Sequence, residues 1–478
     1  MLQKRRTKII ATLGPATDKP GMLEKIFRAG VDVVRLNFSH GKTADHENRV
    51  KAVRECAAKL GREIGVMADL QGPKIRVARF KENKVMLVPG APFILDASMD
   101  SEAGTAEAVG IDYKELPQDV HANDTLLLDD GRVVFKVEYV DGSQIHCRVL
   151  VGGALSNNKG INRLGGGLSA KALTDKDKAD LKTAVALHAD YIAISFPRTA
   201  ADMEEAKQLI KEAGGTAGVV AKIERAEAVE DKTLDEIIKA SAAVMVARGD
   251  LGVEIGDAAL PSIQKKIIHR CRSLDKAVIT ATQMMETMIH NAIPTRAEVF
   301  DVANAVLDGT DAVMLSAETA SGDHPDIVVE AMARICLGAE SDRSTQVSKH
   351  RVECQFERAD EAVAMAAMYT ANHLNIAAII ALTETGSTPL WMSRIRSGIP
   401  IYGLSEHVAT QRRMTMYRGV YPLAFDVTRL ELTELYHAAI DEVSKHGFIK
   451  TGDWVIVTHG DHLGKIGGTN TMKILQVQ

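Results

Sequence analysis

Polar and charged side chains follow seven of the apolar runs in this chain of 478 residues, each at the carboxyl end of its run. A single Asp or Ser at such a position is usually a turn or cap residue. Burying this many charges together without partners, however, would be costly. A divalent cation and an anionic substrate would supply those partners. The side chains are Arg35, Asn37, Ser39 and His40 after one run, then Asp69, Ser195, Lys222 with Glu224, Arg248 with Asp250, Thr282, and Ser316 with Glu318.

Two carboxylates in this set have the character of metal ligands. Lys222 and Glu224 alternate with Ile223, so their side chains point to the same face of a strand. Asp250 ends the next run along the chain, which predicts that the two carboxylates lie on adjacent strands. Hard carboxylate oxygens with open positions suit Mg²⁺, and Mn²⁺ could replace it. The sequence therefore predicts a divalent metal site at Glu224 and Asp250.

Two cations and a turn add features of phosphate chemistry. Arg35 and Lys222 suit phosphate oxygens, and the backbone N–H groups of Gly249 and Asp250 could bind a carboxylate. A metal, two cations and an anion site together favour phosphoryl transfer. The sequence contains neither GxxxxGK followed by Ser or Thr nor GxGxxG, which argues against a P-loop NTPase and a Rossmann enzyme.

The elements that must position these residues are short β-rich runs that alternate with amphipathic segments. Eight such units predict an α/β fold with a (β/α)8 TIM barrel, whose strand carboxyl ends form one rim. Asp18 is expected to cap the first helix and Gly30 to end it. The predicted strands are Thr7–Gly14, Val31–Ser39, Glu63–Leu70, Asp190–Phe196, Gly218–Glu224, Ala242–Asp250, Ala277–Thr282 and Asp311–Glu318.

Two other regions depart from the barrel pattern. Residues 72–170 carry hairpin patterns with DDG and VDG turns, which predicts an inserted all-β domain that could act as a lid. Residues 344–478 begin with a polar connector and then alternate helices and strands, which predicts a separate C-terminal α/β regulatory domain. The barrel is accordingly assigned to residues 1–71 and 171–343.

Composition limits the classes of partner. The chain is 46% apolar and 25% charged, with a net charge of −5, so neither nucleic acid nor a membrane surface is an expected partner. No apolar run approaches the roughly 20 residues of a membrane helix, and the start of the chain lacks a signal-peptide pattern. Five cysteines without CxxC spacing predict reduced thiols and a cytoplasmic location.

A set of motifs then carries a family resemblance over nearly the whole chain. They are RTKIIATLGPAT, VDVVRLNFSHG, GPKIR, DDG, NKGIN, AKIERAEAV, MVARGDLGVE, ATQMMETM, PTRAEVFDVANAV and DGTDAVMLSAETASGDHP. In this set and order the chain resembles the pyruvate kinase family. The resemblance implies phosphoryl transfer from phosphoenolpyruvate to ADP in glycolysis, giving pyruvate and ATP. It also implies a β-lid after barrel strand 3, a regulatory domain and a homotetramer.

The resemblance also implies roles for single residues. Glu224 and Asp250 are expected to bind Mg²⁺, and Lys222 to stabilise the phosphoryl group in flight. Arg35 is expected to hold the substrate phosphate. Thr282 and the Gly249–Asp250 amides resemble the substrate carboxylate site. Protonation of the enolate stays open among Thr282, Ser316 and Glu318. The residues that resemble nucleotide-side contacts are Pro15, Asn37, His40, Arg76, Asp130 and Lys159.

One departure from the family pattern concerns K⁺. Many members need this ion and hold it with Asn, Ser, Asp and Thr side chains, and Asn37, Ser39 and Asp69 are present here. Leu70, however, offers no hydroxyl, and Lys74 stands where those members have glutamate. A fixed ammonium could replace the ion, so we expect a requirement for Mg²⁺ but not for K⁺. The alternative is that Lys74 points into solvent.

The C-terminal region contains one further motif, a loop between a strand and a helix. Hydroxyls, a glycine turn and a helix N-terminus suit a phosphate group. In the family the equivalent loop binds phosphorylated effectors, and Arg394 and Arg396 could assist. The identity of the effector stays open. The predicted effector-binding residues are Thr383, Thr385, Gly386, Ser387 and Thr388.

Two other function classes were weighed. A Mg²⁺-dependent aldolase or lyase acting through a pyruvate enolate would also use barrel-rim carboxylates, but it would not need Asp130 and Lys159 in a lid. A non-catalytic relative would be expected to lose Lys222, Glu224 or Asp250, and all three are present.

Overall fold

In a computed structural model of the chain, eight parallel strands close into a barrel. The structure describes residues 5–348, 350, 353–426, 432–461 and 467–478, so the first four residues of the predicted barrel segment and part of the polar connector lie outside it. Around the barrel each barrel strand pairs with the next barrel strand along the chain, and the insertion interrupts the sequence between the third and the fourth without separating them in the sheet. The (β/α)8 prediction is confirmed.

The strands are numbered along the chain. The first three barrel strands are β1 (Lys8–Thr12), β2 (Val33–Asn37) and β3 (Gly65–Asp69). The inserted strands are β4 (Lys84–Leu87), β5 (Pro92–Asp96), β6 (Ala108–Gly110), β7 (Thr125–Leu128), β8 (Val133–Asp141), β9 (Gln144–Val151), β10 (Gly153–Ser156) and β11 (Ile161–Arg163). The barrel continues with β12 (Tyr191–Ile194), β13 (Gly218–Ile223), β14 (Ala243–Ala247), β15 (Ala277–Ala281) and β16 (Ala312–Leu315). The C-terminal strands are β17 (Ile376–Leu382), β18 (Ile401–Ser405), β19 (Val420–Ala424), β20 (Trp454–Gly460) and β21 (Thr469–Gln476).

The helices are numbered in the same way. Those up to the end of the barrel are α1 (Met22–Ala29), α2 (Thr43–Lys59), α3 (Leu116–Asp119), α4 (Asp175–Ala186), α5 (Ala200–Glu212), α6 (Asp231–Ala240), α7 (Arg248–Ile255), α8 (Leu260–Ser273), α9 (Arg296–Asp308), α10 (Ala317–Ala320) and α11 (Pro325–Glu340). The C-terminal region adds α12 (Ala359–His373), α13 (Ser387–Arg394), α14 (Val408–Met414) and α15 (Leu432–Lys445).

The barrel strands are mainly apolar because both of their faces are covered, by the helices outside and by packed side chains inside. Each strand overlaps one predicted run, but several end sooner than the run suggested. The run Ala242–Asp250, for example, divides into β14 and the first turn of α7. Polar residues that end the runs therefore lie in the loops and helix starts just beyond the strands.

The start of the first helix differs from the prediction. Asp18 does not cap α1, which begins after Gly21. The Asp18 carboxylate instead binds Arg49 Nη2 at 2.7 Å, on helix α2. An ion pair with a residue 31 positions away offers this carboxylate an alternative to the cap. Gly30 does end α1, with a φ of 119° that favours glycine.

The insertion between β3 and α4 is an all-β unit with its own apolar core. Six strands form one sheet in the order β11-β7-β8-β9-β5-β6, and β10 pairs with β4. Its core includes Phe93, Phe135 and Leu126. The chain leaves it through Gly165, Gly166 and Gly167, whose φ angles of 87°, 75° and 90° are unfavourable for other residues. The chain can leave the insertion along this path because glycine tolerates these φ angles.

The C-terminal region is a five-stranded sheet in the order β19-β18-β17-β20-β21 with helices around it. It packs on the amino-terminal end of the barrel, opposite the rim. One apolar cluster joins the two, since Met67 and Met314 of the barrel lie in the same cluster as Met368, Met392 and Met414 of the C-terminal region. We call this the floor cluster. None of the helices in the described part of the chain combines the length and apolar character that crossing a bilayer requires.

Candidate active site at the barrel rim

Four charged side chains from three barrel strands meet at the rim. Arg35 Nε donates to Asp69 Oδ2 at 2.6 Å, across the ends of β2 and β3. Lys222 Nζ lies 3.3 Å from Asp69 Oδ1 and 2.9 Å from Glu224 Oε1. The four groups form a continuous chain of alternating charge. The structure therefore brings together side chains that are up to 189 residues apart in sequence, from Arg35 to Glu224.

Lys222 is held in place from several sides. Its Nζ donates to Ser195 Oγ at 2.7 Å, and Ser195 Oγ in turn donates to the carbonyl of Leu70 at 2.7 Å. Burial acts to lower the pKa of Lys222, but the carboxylates of Asp69 and Glu224 outweigh it and raise that pKa above its ordinary value. The ammonium is therefore charged and fixed at the rim.

The two predicted metal ligands fit a divalent cation. Burial, with a further contribution from Asp250, raises the pKa of Glu224 to about 7, although Lys222 acts in the opposite direction. Burial likewise raises the pKa of Asp250. Glu224 Oε2 is already oriented, since it accepts a hydrogen bond from the Phe196 backbone N–H at 2.8 Å. A bound cation would relieve the unfavourable ionisation of both carboxylates, and oxygen ligands of this kind suit Mg²⁺.

The first turn of α7 carries the predicted carboxylate-binding groups. Gly249 N–H donates to Thr282 Oγ1 at 2.8 Å, so the two predicted carboxylate-binding groups touch each other. Thr282 has a φ of 66°, which is strained for a β-branched residue. Arg248 is buried and supports this turn, because its guanidinium donates to the Thr282 carbonyl and binds Asp301 at 2.7 Å. Arg248 therefore supports the loop, although its position at the end of an apolar run predicts that it belongs to the rim charges.

The remaining rim residues hold two loops together. The Glu318 carboxylate is buried and accepts from the backbone N–H of Ser316 at 2.6 Å and of Met285 at 3.4 Å. Burial raises its pKa. Thr282 and Ser316 are half-buried and directly follow the ends of β15 and β16. The geometry leaves the choice of proton donor open among these three residues.

The predicted nucleotide side is more exposed. Pro15 and His40 are exposed, while Asn37 is half-buried and its Oδ1 accepts from the Ser39 N–H at 3.1 Å. On the insertion, Asp130 is exposed and Arg76 is half-buried. Burial is the main cause of the raised pKa of Asp250, Asp130 also raises it and Arg76 lowers it, so both residues of the insertion are near enough to act on that carboxylate.

Comparison with known proteins decides the family. The family model "Pyruvate kinase, barrel domain" matches residues 4–329, and the model "Pyruvate kinase, alpha/beta domain" matches residues 361–475. The chain belongs to the pyruvate kinase family. Pyruvate kinases are phosphotransferases, which is the enzyme class predicted from the residues at the rim. Nothing in these findings favours the aldolase or lyase alternative.

The matches to individual relatives cover nearly all of this chain. Pyruvate kinase II of Salmonella typhimurium is 58% identical over 476 residues, which cover 99% of each chain. A pyruvate kinase of Haemophilus influenzae is 56% identical over 459 residues, 95% of this chain and 96% of the relative. A pyruvate kinase of Geobacillus stearothermophilus is 39% identical over 477 residues, 98% of this chain and 80% of the relative.

The position of Lys74 agrees with the alternative that this side chain points into solvent. Its side chain is exposed, and it has no hydrogen bond or ion pair with the described residues. Asp69 is neutralised by Arg35 and Lys222 instead. The idea that Lys74 replaces K⁺ stays a prediction.

The predicted effector loop precedes α13. Thr383 Oγ1 accepts from the Gly386 N–H at 2.9 Å, and the hydroxyls of Thr385 and Ser387 are 2.8 Å apart. Gly386 has a φ of 82° and precedes the helix. Thr388 is buried, with its hydroxyl 3.0 Å from that of Thr469 on β21. The loop has the strand-to-helix position that the motif predicted.

The two arginines expected to assist this loop do not. Arg394 is 1% exposed and binds Asp311 at the base of the barrel, with Nη1 donating to Asp311 Oδ2 at 2.8 Å. Arg396 donates to the backbone carbonyls of Leu307, Asp308 and Ser344. That expectation was wrong, because α13 carries both residues away from the loop to the contact with the barrel.

Three groups at the site have no distinguishing signal in the sequence. Ser195 has the position of an ordinary strand-end residue, yet it orients Lys222. The Phe196 N–H orients Glu224, but a backbone amide leaves no sequence signal. Asp129, rather than its selected neighbour Asp130, binds Lys159, with Asp129 Oδ1 2.7 Å from Nζ. The DDG turn contains both aspartates, and the sequence does not indicate which of them binds Lys159.

Proposed function

We propose that the protein transfers phosphoryl from phosphoenolpyruvate to ADP with Mg²⁺, giving pyruvate and ATP. The observation that carries this proposal is the charge chain of Arg35, Asp69, Lys222 and Glu224, with Asp250 beside it, in a chain of the pyruvate kinase family. The test is pyruvate formation from phosphoenolpyruvate, measured with and without ADP. Pyruvate formation that does not depend on ADP would contradict the proposal.

In this proposal Glu224 and Asp250 hold the metal. When bound, Mg²⁺ neutralises charge on the phosphoryl oxygens and helps to orient them. Lys222 and Arg35 point their positive charges at the same oxygens, and Asp69 keeps both cations in register. Because Ser195 and the buried carboxylates fix Lys222 in advance, little reorganisation is needed when charge develops in the transition state.

The substrate carboxylate is placed at the first turn of α7. The Gly249 N–H faces this point, and Thr282 Oγ1 now occupies it as an acceptor. A carboxylate would replace that hydroxyl oxygen and gain the partial positive charge of the helix start. The Thr282 hydroxyl donates here to the Ala281 carbonyl at 2.6 Å, and it would have to turn toward the enolate to relay a proton from water. Ser316 and Glu318 stay alternatives for the enolate protonation.

The nucleotide is proposed to bind between the rim and the insertion. Pro15, Asn37 and His40 contribute from the barrel, and Arg76, Asp130 and Lys159 from the insertion. The influence of Asp130 and Arg76 on Asp250 supports this arrangement. Closure of the insertion over ADP would exclude water and limit hydrolysis of the phosphoryl donor.

We expect full activity without K⁺. The prediction is supported by Leu70, which offers no hydroxyl to an ion, and by the positive charge of Lys74 on the adjoining loop. The measurement is the rate with Mg²⁺ in tetramethylammonium buffer free of Na⁺ and K⁺. Lys74→Glu is expected to make the rate rise on addition of K⁺. Negligible activity of the parent protein that K⁺ restores would overturn the prediction.

A phosphorylated metabolite, either a sugar phosphate or a nucleoside monophosphate, is expected to bind the loop of Thr383, Thr385, Gly386, Ser387 and Thr388 and to lower the apparent KM for phosphoenolpyruvate. Replacing Ser387 and Thr388 with alanine should abolish this activation while the basal kcat stays the same, because the loop is remote from the rim. The measurement is a panel of phosphorylated metabolites at sub-saturating phosphoenolpyruvate. If every activation survives the double change, the effector site lies elsewhere.

A cytoplasmic homotetramer completes the proposal. The five cysteines are free thiols, as a reducing compartment favours. Strand β21 is an edge strand, and Ile474 on it is exposed, so a second copy could pair there. Light scattering of the purified protein should give about four times the 51.7 kDa mass of the chain. A monomer mass at micromolar concentration would contradict the tetramer.

A further inference from the structure

A small cavity lies where the C-terminal region meets the base of the barrel, at the end opposite the rim. Its volume is about 20 Å³, which is room for one water-sized occupant. The charged residues that line it are Arg6, Arg272, Asp311, Arg394, Arg396 and Arg418. They come from both sides of the contact, since Arg272 lies on α8 and Arg396 and Arg418 lie in the C-terminal region.

The charges around this cavity do not balance. Asp311 is the one carboxylate among the described residues that line it, and Arg394 binds both of its oxygens. Arg6 has a partner outside the lining, with its Nε 3.6 Å from Glu340 Oε2. Three guanidinium groups are then left without a carboxylate on the cavity wall. They belong to Arg272, Arg396 and Arg418.

None of these three guanidinium groups binds a carboxylate among the residues that the structure describes. Arg272 Nη2 donates to the Arg394 carbonyl at 3.0 Å, and Arg396 donates to backbone carbonyls. The Asp308 carboxylate near Arg396 is itself bound by Lys265. Arg418 is 8% exposed, and its buried Nη2 has no hydrogen-bond partner among the residues that the structure describes. The buried Nε of Arg396 also lacks a hydrogen-bond partner among the described residues.

The electrostatics agree with this excess of positive charge. Burial and the neighbouring arginines lower the pKa of Arg272 to about 10. Burial, opposed by Glu340 and reinforced by Arg6, also lowers the pKa of Arg418 to about 10. Both groups stay protonated at neutral pH, so their charge has to be balanced in another way. A buried cation without a counter-ion is costly to a folded protein.

We propose that this cavity binds one compact monovalent anion, of the size of chloride, between Arg272, Arg396 and Arg418. The cavity volume sets the size, because it has room for a single water-sized particle. The bound ion would join the barrel to the C-terminal region. The site is separate from the phosphoryl-transfer rim and from the loop before α13, and it does not depend on the function proposed for either.

The test is the thermal unfolding midpoint of the full chain when gluconate is exchanged for chloride at constant ionic strength and pH. The midpoint is expected to rise by about 2–4 °C, because the anion binds only the folded protein. In Arg418→Gln this rise should be lost. In gluconate the variant should be at least as stable as the parent protein, since it no longer buries an unpaired charge. A purely structural arginine would instead lower the midpoint in both salts.

The matched control is Arg412→Gln. Arg412 also joins the C-terminal region to the barrel, but its Nε lies 2.7 Å from Glu63 Oε2 and has its own counter-charge. This variant should lose stability in both salts and keep the chloride-dependent rise. Sulfate and phosphate, compared at equal ionic strength, should have a smaller effect than chloride. A response to them but not to chloride would contradict the size argument.

Crystals of the parent protein grown in bromide give a readout that does not depend on any variant. An anomalous peak between Arg272, Arg396 and Arg418 is expected. The proposal is overturned if the midpoint is the same in gluconate and chloride, if Arg418→Gln keeps the rise, or if the cavity contains no bromide.

Discussion

Lys222→Met is expected to lower kcat for phosphoryl transfer by about 10³–10⁵-fold, the range for removal of a cation that acts on the transferring group. The fixed ammonium lies between Asp69 and Glu224 at the rim, and methionine supplies no charge there. The measurement is kcat and KM for both substrates at saturating Mg²⁺. A variant that retains kcat within tenfold would remove Lys222 from the proposed mechanism.

A stability control is needed, because Lys222→Met leaves the buried Glu224 without its cation and Asp69 with Arg35 alone. Lys8→Met is matched to it, since Lys8 is also buried in the barrel, at the opposite end, where its Nζ donates to the Val420 carbonyl at 2.6 Å. We expect Lys8→Met to lose stability while kcat changes only a few-fold. Exchange of the pyruvate methyl protons with solvent, which transfers no phosphoryl group, should persist in Lys222→Met.

Arg394→Met is expected to lower the free energy of unfolding by about 3–5 kcal/mol, because it leaves Asp311 without its main partner in a buried contact. The double variant Arg394→Met with Asp311→Asn should recover part of that loss, since no carboxylate is then left unpaired. Urea unfolding followed by circular dichroism measures both.

The control for this second prediction is Arg28→Met. Arg28 binds Glu24 four residues earlier on α1, where both side chains are exposed, and such pairs contribute about 0.3–0.5 kcal/mol. A loss in Arg394→Met no larger than the loss in Arg28→Met would show that the buried pair does not stabilise the domain contact.

The barrel and its rim could be predicted because both depend on local patterns. Apolar runs such as the one around Val244 and Val246 are continuous, which is typical of strands that are covered on both faces. Once the runs are ordered in a barrel, topology places Lys222 and Asp69 at the same rim, on strands β13 and β3 with β12 between them. Family motifs then gave the roles of these residues.

Other features depend on contacts that no local pattern encodes. The sequence places Arg394 one helix away from the effector loop, but its partner Asp311 lies 83 residues earlier, at the base of the barrel. Asp18 has the type and spacing of a helix cap, yet a nearby arginine on α2 binds it instead. The strained backbone of Thr282 is likewise set by the Arg248 contact, and threonine itself does not signal it.

The floor cluster makes the two halves of this chain interdependent. Separating the barrel from the C-terminal region would divide the apolar cluster that holds Met67 and Met314 together with Met368, Met392 and Met414, and would expose apolar surface on both parts. Recombining the barrel of one relative with the C-terminal region of another would therefore require these methionines to be matched as a set. The effector loop is part of the same constraint, because a Cβ at Gly386 would lie 3.2 Å from Met414 Cγ, so the packing beneath the barrel has to change on both sides together.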